Sequence, residues 1–280
     1  MRGKLKKLFA AVLAVLLALS FSGCSELTGL DAQALMSPPK TTADREAIYA
    51  LMGGGVGDVT LVYPKYGDYR SAIISRDLDG CGTSEIVSFC ANGDAGGTRL
   101  EFFKKNTDGV WSSMARFTSA ATQVDKVFFG DLTGDGMDEI IVGWGDPLTA
   151  TASVSVYYVD GDTIREFSMT TVSYSEMLLT DFDSDNIKEL FVLQAAQTSG
   201  EEIMALGGLY RFDGDQPYVS KTVPLDAAVT RYTSVSFSQV NSWRRAAVLD
   251  GVKADGHMLT QVIGYDEASD RLISPLSNEE

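Results

Sequence analysis

The sequence has very few of the residues on which metalloenzymes, many hydrolases and disulfide-rich secreted domains depend. Its 280 residues include one histidine, three cysteines and seven prolines. A zinc site needs two or three histidines or a closely spaced cysteine pair, so neither kind of zinc site is available. The histidine, His257, follows the turn-like segment 253–256, which predicts a surface residue rather than the base of a Ser-His-Asp triad. The separation of Cys81 from Cys90, across a loop and a strand, favours two free thiols.

Other functional signatures are also missing. No Walker or dinucleotide-binding glycine pattern occurs. Basic residues number 23 against 38 acidic ones, a formal net charge of −15, so the surface should repel nucleic acid. Glycosidases use paired carboxylates, but nearly all the clustered carboxylates here fall in repeated loops or hairpin turns. We therefore expect no nucleic-acid partner and no enzymatic activity.

The longest apolar run lies at the N-terminus and extends from Leu8 to Leu19, after four basic residues. It is too short to span a bilayer and ends in small residues, which is typical of a signal peptide over 1–23. Residues 19–24, Leu-Ser-Phe-Ser-Gly-Cys, resemble a bacterial lipobox. This resemblance implies that Cys24 is acylated and anchors the protein on the extracytoplasmic face of the cell membrane. The alternative is an ordinary signal followed by an unmodified cysteine.

The next segment separates the N-terminus from the folded region. Residues 24–43 have little apolar periodicity and are predicted as a flexible tether, followed by a repeat domain over 44–280. Thr42 could cap a short helix through Met52. This helix either plugs one face of the propeller or remains a solvated stub. Alternation over 59–63 predicts a strand.

The sequence does contain an acidic loop that is repeated along the chain. Three segments share an acid at loop position 1, an acid at position 9 and an apolar run from position 10. The acids are Asp77, Asp79 and Glu85 in the first loop; Asp131, Asp135 and Glu139 in the second; and Asp181, Asp183, Asp185 and Glu189 in the third. In the first loop, Cys81 takes the place of the acid at position 5. A degenerate fourth copy without acids begins at Gln239. Oxygen ligands around a sharp bend predict a site for a hard cation.

A second signal recurs roughly thirty residues after each loop. Turn sequences occur at 106–109, 160–162, 213–215 and, less clearly, 267–270, between alternating apolar residues. The two signals predict that each unit contains, in order, a strand, the ion loop, two further strands, a turn and a last strand. This predicts an all-β, β-propeller-like array of about four four-stranded blades with a short N-terminal helix. The units are placed at about 57–110, 111–162, 163–215 and 216–280.

These units resemble the FG-GAP or VCBS-type repeat of calcium-binding β-propellers, with its loop motif Asp-x-Asp-x-Asp-Gly-x-x-Asp/Glu. The likeness covers residues 68–266. It implies calcium as the cofactor and the ten loop carboxylates named above as its ligands. The loops depart from the motif at Cys81, Thr133 and Asn186. Because calcium takes six to eight oxygens, we expect the third loop to bind best and the first worst.

The function expected from these features is that of a lipid-anchored, extracytoplasmic calcium-binding propeller. It would act as a scaffold or as a module that binds an unidentified protein or carbohydrate ligand. The alternative is an accessory or hydrolytic domain acting on cell-envelope or dietary polysaccharide. Trp111, Trp144 and Trp243 could stack on sugars, although packing between blades is the commoner role. Four units allow a small closed ring, an open array or a shortened larger propeller.

Overall fold

The computed structural model describes residues 43–145, 152–168, 172–199, 202–213, 216–241 and 244–274. The predicted signal peptide, Cys24 and nearly all of the tether lie outside these residues, as does Trp243. Of the two compact units, Met1–Arg45 and Glu46–Glu280, the second contains every strand and contact discussed below. No helix among the described ranges is long and apolar enough to cross a membrane.

The described part of the chain contains one α-helix followed by seventeen strands in four antiparallel sheets. The helix is α1 (Ala43–Leu51), and a short 3-10 turn covers Gly93–Ala95. The first sheet contains β1 (Ile73–Arg76), β2 (Glu85–Ala91), β3 (Thr98–Lys105) and β4 (Trp111–Ser119). The second contains β5 (Gln123–Gly130), β6 (Glu139–Gly145), β7 (Ala152–Asp160) and β8 (Thr163–Glu166), with β9 (Val172–Tyr174) also paired to β7. The third contains β10 (Glu176–Thr180), β11 (Glu189–Ser199), β12 (Glu202–Asp213) and β13 (Gln216–Pro224). The fourth contains β14 (Val229–Asn241), β15 (Arg244–Lys253), β16 (Met258–Asp266) and β17 (Arg271–Ile273).

The predicted order of elements within each repeat is confirmed for the first three sheets. Each acidic loop joins the first strand of a sheet to the second, and each turn signal joins the third strand to the fourth. The predicted units at 57–110, 111–162 and 163–215 ended within these turns, whereas the fourth strand pairs with the third across the turn. The sheets therefore extend to Ser119, Glu166 and Pro224, with β9 added to the second.

The fourth sheet lacks the nine-residue loop altogether. β14 continues to Asn241, and its end pairs with the start of β15 through Gln239 opposite Arg245 and Asn241 opposite Arg244. The paired strands therefore occupy most of the positions that the loop has in the other copies, in the copy where the sequence had already lost its acids. Without the loop, the fourth sheet has no counterpart of the candidate ion site.

The second strands of the middle sheets are buried on both faces, which explains their continuous apolar runs. In β6, Ile140 packs with residues of the first sheet, whereas its neighbour Ile141 packs with residues of the third. In β11, Leu190 faces the second sheet and Phe191 faces the fourth. Successive side chains of a strand point to opposite faces. Each apolar run therefore contributes to two adjacent cores.

Contacts between the sheets follow the order of the chain. β4 contacts β8, β9 contacts β11, β10 contacts β14, and β13 contacts β17. Among the described residues, the first sheet and the last share no strand. The predicted all-β class is confirmed at the level of four sequential antiparallel sheets.

The N-terminal helix packs on the domain rather than standing free. Ile48 and Met52 are buried with Cys90 and Phe103. The guanidinium of Arg99 in β3 donates a hydrogen bond of 2.6 Å to the Met52 carbonyl, just after the helix ends. Burial of this apolar face shows that the helix is not a solvated stub.

Two smaller expectations change at this end of the domain. Ala43, assigned to the tether, is the first helical residue. The strand predicted over 59–63 is reduced to a single bridge between Leu61 and Cys90. Cys81 and Cys90 are free thiols, as predicted, with Cys81 exposed and Cys90 buried.

Candidate metal centres and a polar cavity

The three acidic loops share one backbone conformation. Loop positions 4 and 6 have positive φ in every copy, which bends the chain back on itself twice. The residues at these positions are Gly80 and Gly82, Gly134 and Gly136, and Ser184 and Asn186. Asn186 has φ 71°, a conformation that Asn adopts more readily than most residues with a side chain, so it can replace the glycine of the motif. Ser184, with φ 65°, was not predicted and places an L side chain where glycine is favoured.

The acid at position 1 closes each loop. Its Oδ2 accepts a hydrogen bond from the backbone N–H of position 6 in all three copies. The pairs are Asp77 and Gly82 at 2.9 Å, Asp131 and Gly136 at 2.9 Å, and Asp181 and Asn186 at 3.1 Å. This acid therefore has a structural role, because a neutral residue without an acceptor would leave the bend unsupported.

The glutamate at position 9 is buried and also supports the loop. Its Oε2 accepts a hydrogen bond from the backbone N–H of position 2, whose apolar side chain is buried. The pairs are Glu85 with Leu78 at 2.9 Å, Glu139 with Leu132 at 2.7 Å, and Glu189 with Phe182 at 2.8 Å. These glutamates are 3%, 2% and 0% exposed, respectively. A buried carboxylate with one such bond still carries a charge that requires a cation or a proton.

The loops differ in how closely their predicted ligands gather. In the first, ligand atoms of Asp77, Asp79 and Cys81 lie within 4.8 Å of one another, while Glu85 is outside that group. A hydrogen bond from Cys81 holds the pKa of Asp79 below its usual value.

In the third loop, ligand atoms of Asp181, Asp183 and Glu189 lie within the same distance of one another. Asp185 lies outside this group. Asp131, Asp135 and Glu139 of the second loop do not form such a group among the described residues. Calcium binds oxygens at 2.3–2.6 Å, so two oxygens on one ion lie at most about 5 Å apart, a condition that the acids of both groups meet.

The third loop already has a cation of its own. The guanidinium of Arg211, in β12, donates hydrogen bonds to Asp183 Oδ2 and Glu189 Oε1, and its Nη2 lies 3.2 Å from Asp185 Oδ2. Burial alone would lower the pKa of Arg211, but these ion pairs raise it above its ordinary value. Three of the four carboxylates predicted to bind calcium therefore contact an internal cation.

The equivalent position differs in the other sheets. In the third sheet, Arg211 follows Tyr210, the partner of Leu190. In the first sheet, the residue that follows the partner of Ile86 is Lys104. In the second sheet, the residue that follows the partner of Ile140 is Tyr158. Lys104 forms an ion pair with Asp162 and not with the acids of the first loop.

The second loop has no basic side chain in ion-pair contact with Asp131, Asp135 or Glu139 among the described residues. Burial raises the pKa of Glu139 to about 7; the Leu132 N–H opposes this rise, and the charges of Asp135 and Asp131 add to it. Arg76 of the first sheet instead pairs with Asp138, at position 8, through a 2.7 Å bond from Nε. The hydroxyl oxygen of Thr133, at position 3, is buried without a hydrogen-bond partner.

The loops adjoin one another along one edge of the sheets. The Asp138 N–H donates to the Leu78 carbonyl at 3.3 Å, and the Lys188 N–H donates to the Asp131 carbonyl at 2.8 Å. A Cβ added to Gly134 would lie 2.8 Å from Ile187 Cδ1. A change in one loop can therefore reach its neighbour through direct contact.

A separate cavity of about 590 Å³ lies where the starts of β5 and β10 meet β14. Its lining includes Asp125, Lys126 and Glu176. Lys126 pairs with Glu176, and the Tyr174 hydroxyl donates a 2.6 Å hydrogen bond to Asp125 Oδ2. Both carboxylates are thus engaged by protein groups.

The histidine and two of the tryptophans that the sequence singled out have surface or packing roles. His257 is exposed, and its Nδ1 lies 3.9 Å from Asp255 Oδ2. Trp144 is buried in the core with its ring edge toward Phe89. Trp111 is half-buried, and the Lys105 Nζ lies 5.0 Å from its ring centroid.

The acid spacing predicts ligands but does not identify a cation that lies opposite them, so the sequence analysis did not predict the role of Arg211. A signal was nevertheless present: Arg211 stands two residues before the turn at Asp213, as Tyr158 stands two residues before Asp160 and Lys104 two before Asn106. Aligning the turns would have placed the three in one column. No equivalent signal marks the residues that line the cavity, because they come from separate strands.

Comparison with protein-family models and with curated proteins finds no match to this chain. The resemblance to FG-GAP or VCBS-type repeats, and the calcium that it implies, therefore stay predictions.

Proposed function

We propose that the chain is an extracytoplasmic, propeller-like binding module whose blade loops hold calcium. The observation that carries this proposal is the gathering of acids in the first and third loops on one shared backbone conformation. Acidic groups at this spacing suit a cation that accepts irregular oxygen coordination. Calcium does so, whereas magnesium requires a tighter octahedron.

Unsatisfied oxygens support a cation in the first two loops. Asp77 Oδ1 and Thr133 Oγ1 are buried without a hydrogen-bond partner. Such atoms cost about 1–3 kcal/mol each unless something binds them. A calcium ion would bring these oxygens together with the remaining oxygens of the loop acids. It would neutralise negative charge and cross-link each loop to the strand that follows.

The propeller arrangement is supported by two features. Consecutive sheets contact one another along the chain, and the cavity is lined by inner strands of three sheets together with the segment that precedes β1. Four blades around a common axis would place these strands at the centre. The first and last sheets would then close the ring by packing, without exchanging a strand.

For the location, we propose lipid anchoring through Cys24, which lies outside the described residues. Replacing Cys24 by Ser should release the protein from the membrane fraction or leave its signal uncleaved. Unchanged, detergent-dependent fractionation of this variant would contradict the anchor.

Calorimetric titration of the domain with calcium tests the loops. Extracellular calcium modules bind with dissociation constants of about 10⁻⁴–10⁻³ M. At about 1 mM calcium, each occupied site should then stabilise the fold by about 0.4–1.4 kcal/mol. Replacing Asp77 and Asp79 by Asn should remove the larger part of the response. Replacing Asp181 and Asp183 should remove less of it, because calcium would have to displace Arg211 from Asp183 in the third loop.

The control is Asp108→Asn, which removes one negative charge from an exposed hairpin turn and should leave the response intact. Absence of both heat and thermal stabilisation at up to about 10 mM calcium would contradict calcium binding, because it is ten times the weakest dissociation constant expected.

A further inference from the structure

The cavity contains more basic charge than its acids can balance. Lys126 and Glu176 pair with each other, and Asp125 accepts a hydrogen bond from Tyr174. The remaining basic side chains, Lys65 and Arg231, line the cavity without an acidic partner in ion-pair distance among the described residues. The lining has three basic side chains against two acidic ones, an excess of one positive charge, in a chain with 38 acidic and 23 basic residues. Such a concentration of positive charge favours an anionic ligand.

The backbone holds Lys65 in place. Its N–H donates to the carbonyls of Val124 and Asp125 at 3.0 and 3.1 Å, and the Tyr66 N–H donates to the Asp125 carbonyl at 2.9 Å. Asp125 is the extra residue of a β-bulge, since the register shifts between Val124 and Lys126. Bulges redirect side chains and are frequent beside binding sites.

Arg231 is placed by a similar feature on β14. The register of β14 shifts on both sides of it, between Val229 and Arg231 and again between Tyr232 and Ser234. Its neighbour Tyr232 is 2% exposed, and the Tyr232 hydroxyl donates to Gln261 Oε1 at 2.9 Å. The backbone at Arg231 is therefore fixed, and only its exposed side chain has to be ordered when a ligand binds.

The hydroxyl groups of the lining are oriented as acceptors. The Ser175 and Thr233 hydroxyls donate to the carbonyls of Leu193 and Asp250, each at 3.1 Å, and Ser234 donates to Asp250 Oδ2 at 2.7 Å. Their protons are therefore already used, while their oxygens keep lone pairs. These oxygens suit a ligand that carries hydroxyl donors.

We propose that this cavity binds a polyhydroxylated carboxylate of the sugar-acid class. The carboxylate would lie on Arg231 and Lys65, since a guanidinium binds carboxylates through two parallel hydrogen bonds. Ligand hydroxyls would donate to Ser175, Thr233 or Ser234. The volume of about 590 Å³ is in the usual range for small-molecule sites. The proposal rests on the proposed binding function and names the ligand class for it.

Calorimetric titration of the full chain with glucuronate and with glucose tests the charge requirement. We expect glucuronate to bind at least about tenfold more tightly than glucose, the ratio given by roughly one charge-assisted hydrogen bond of about 1.5 kcal/mol. Arg231→Gln and Lys65→Gln should each weaken glucuronate binding by about tenfold or more. Arg165→Gln, on an exposed residue of β8 outside the cavity, is the matched control and should change nothing.

Several results would overturn the assignment. These are equal affinity for glucose and glucuronate, full affinity in the Arg231→Gln variant, no heat at about 10 mM glucuronate, or tighter binding of inorganic phosphate. A thermal melt of each variant shows whether it is folded, and Arg231→Lys, which keeps the charge, should restore part of the affinity. Calcium stabilisation of the same preparation reports on the loops separately. Its presence without glucuronate binding would overturn only the ligand class.

Discussion

The second and third acidic loops have the same backbone and different electrostatics. In both, the acid at position 1 closes the bend, and the glutamate at position 9 accepts the N–H of position 2. They differ at one position of the strand opposite, which is Arg211 in the third sheet and Tyr158 in the second. Arg211 therefore supplies the carboxylates of the third loop with a counter-ion, which Tyr158 cannot supply in the second.

The pKa of the buried glutamate records this difference. Burial raises the pKa of Glu139 to about 7, and no basic side chain of the described chain opposes the rise. Burial also raises the pKa of Glu189, but its hydrogen bond and ion pair with Arg211 act in the opposite direction. The third loop is therefore balanced without an added ion. The number of acids predicted the third loop to be the strongest calcium site. That prediction takes no account of the Arg211 guanidinium, which calcium would have to displace.

The largest effect should follow the loss of Arg211. Arg211→Gln leaves Asp183, Asp185 and Glu189 without their cation, and breaking a buried ion pair costs about 3–5 kcal/mol. Since the Arg211 side chain is 26% exposed, we expect about 2–4 kcal/mol lower stability in urea denaturation without calcium. Calcium should recover part of this loss, because the freed acids become available to it.

The matched control is Lys104→Gln at the equivalent position of the first sheet. Its partner Asp162 is 96% exposed, so we expect a change below about 1 kcal/mol. An Arg211→Gln variant with unchanged stability and an unchanged calcium response would show that the two loops do not differ in the way proposed.

A smaller effect, of opposite sign in the two loops, is expected when each buried glutamate becomes glutamine. The folded-state pKa of Glu139 is raised, so the stability it contributes is present below about pH 4.5 and is lost as pH rises through about 7. Without calcium at pH 8, Glu139→Gln should therefore be neutral or stabilising, by up to about 2 kcal/mol. Glu189→Gln should destabilise by about 1–3 kcal/mol, because it removes a partner of Arg211.

Denaturation curves between pH 5 and pH 8 distinguish these outcomes. The parent protein should lose stability across this window in the absence of calcium, and Glu139→Gln should flatten the slope. With calcium present the slope should be reduced, since the ion binds the carboxylate form. Equal destabilisation by both glutamine variants at pH 8 would contradict the comparison.

The sequence predicted the repeat, the order of strands and the loop residues because these depend on short-range pattern. Apolar runs, acids at fixed spacing and Asp-Gly turns each determine local structure. It did not predict Arg211 as a counter-ion, the engagement of Asp138 by Arg76, or the cavity. These depend on which strands adjoin and in what register. The unit bounds shifted for the same reason, since a turn signal marks a hairpin and not the end of a sheet.

The smallest effect concerns position 4, where the second loop has Gly134 and the third has Ser184. Both have positive φ, at 81° and 65°. An L residue in this conformation costs about 1–2 kcal/mol, whereas glycine adopts it freely. Glycine also makes the unfolded chain more flexible, at a cost of about 0.4–1 kcal/mol. Ser184→Gly should therefore stabilise the protein by about 0.5 kcal/mol, measured as a higher urea midpoint. Ser84→Gly, in the first loop at a position without positive φ, should lower the midpoint, and equal shifts in both variants would mean that Ser184 carries no backbone strain.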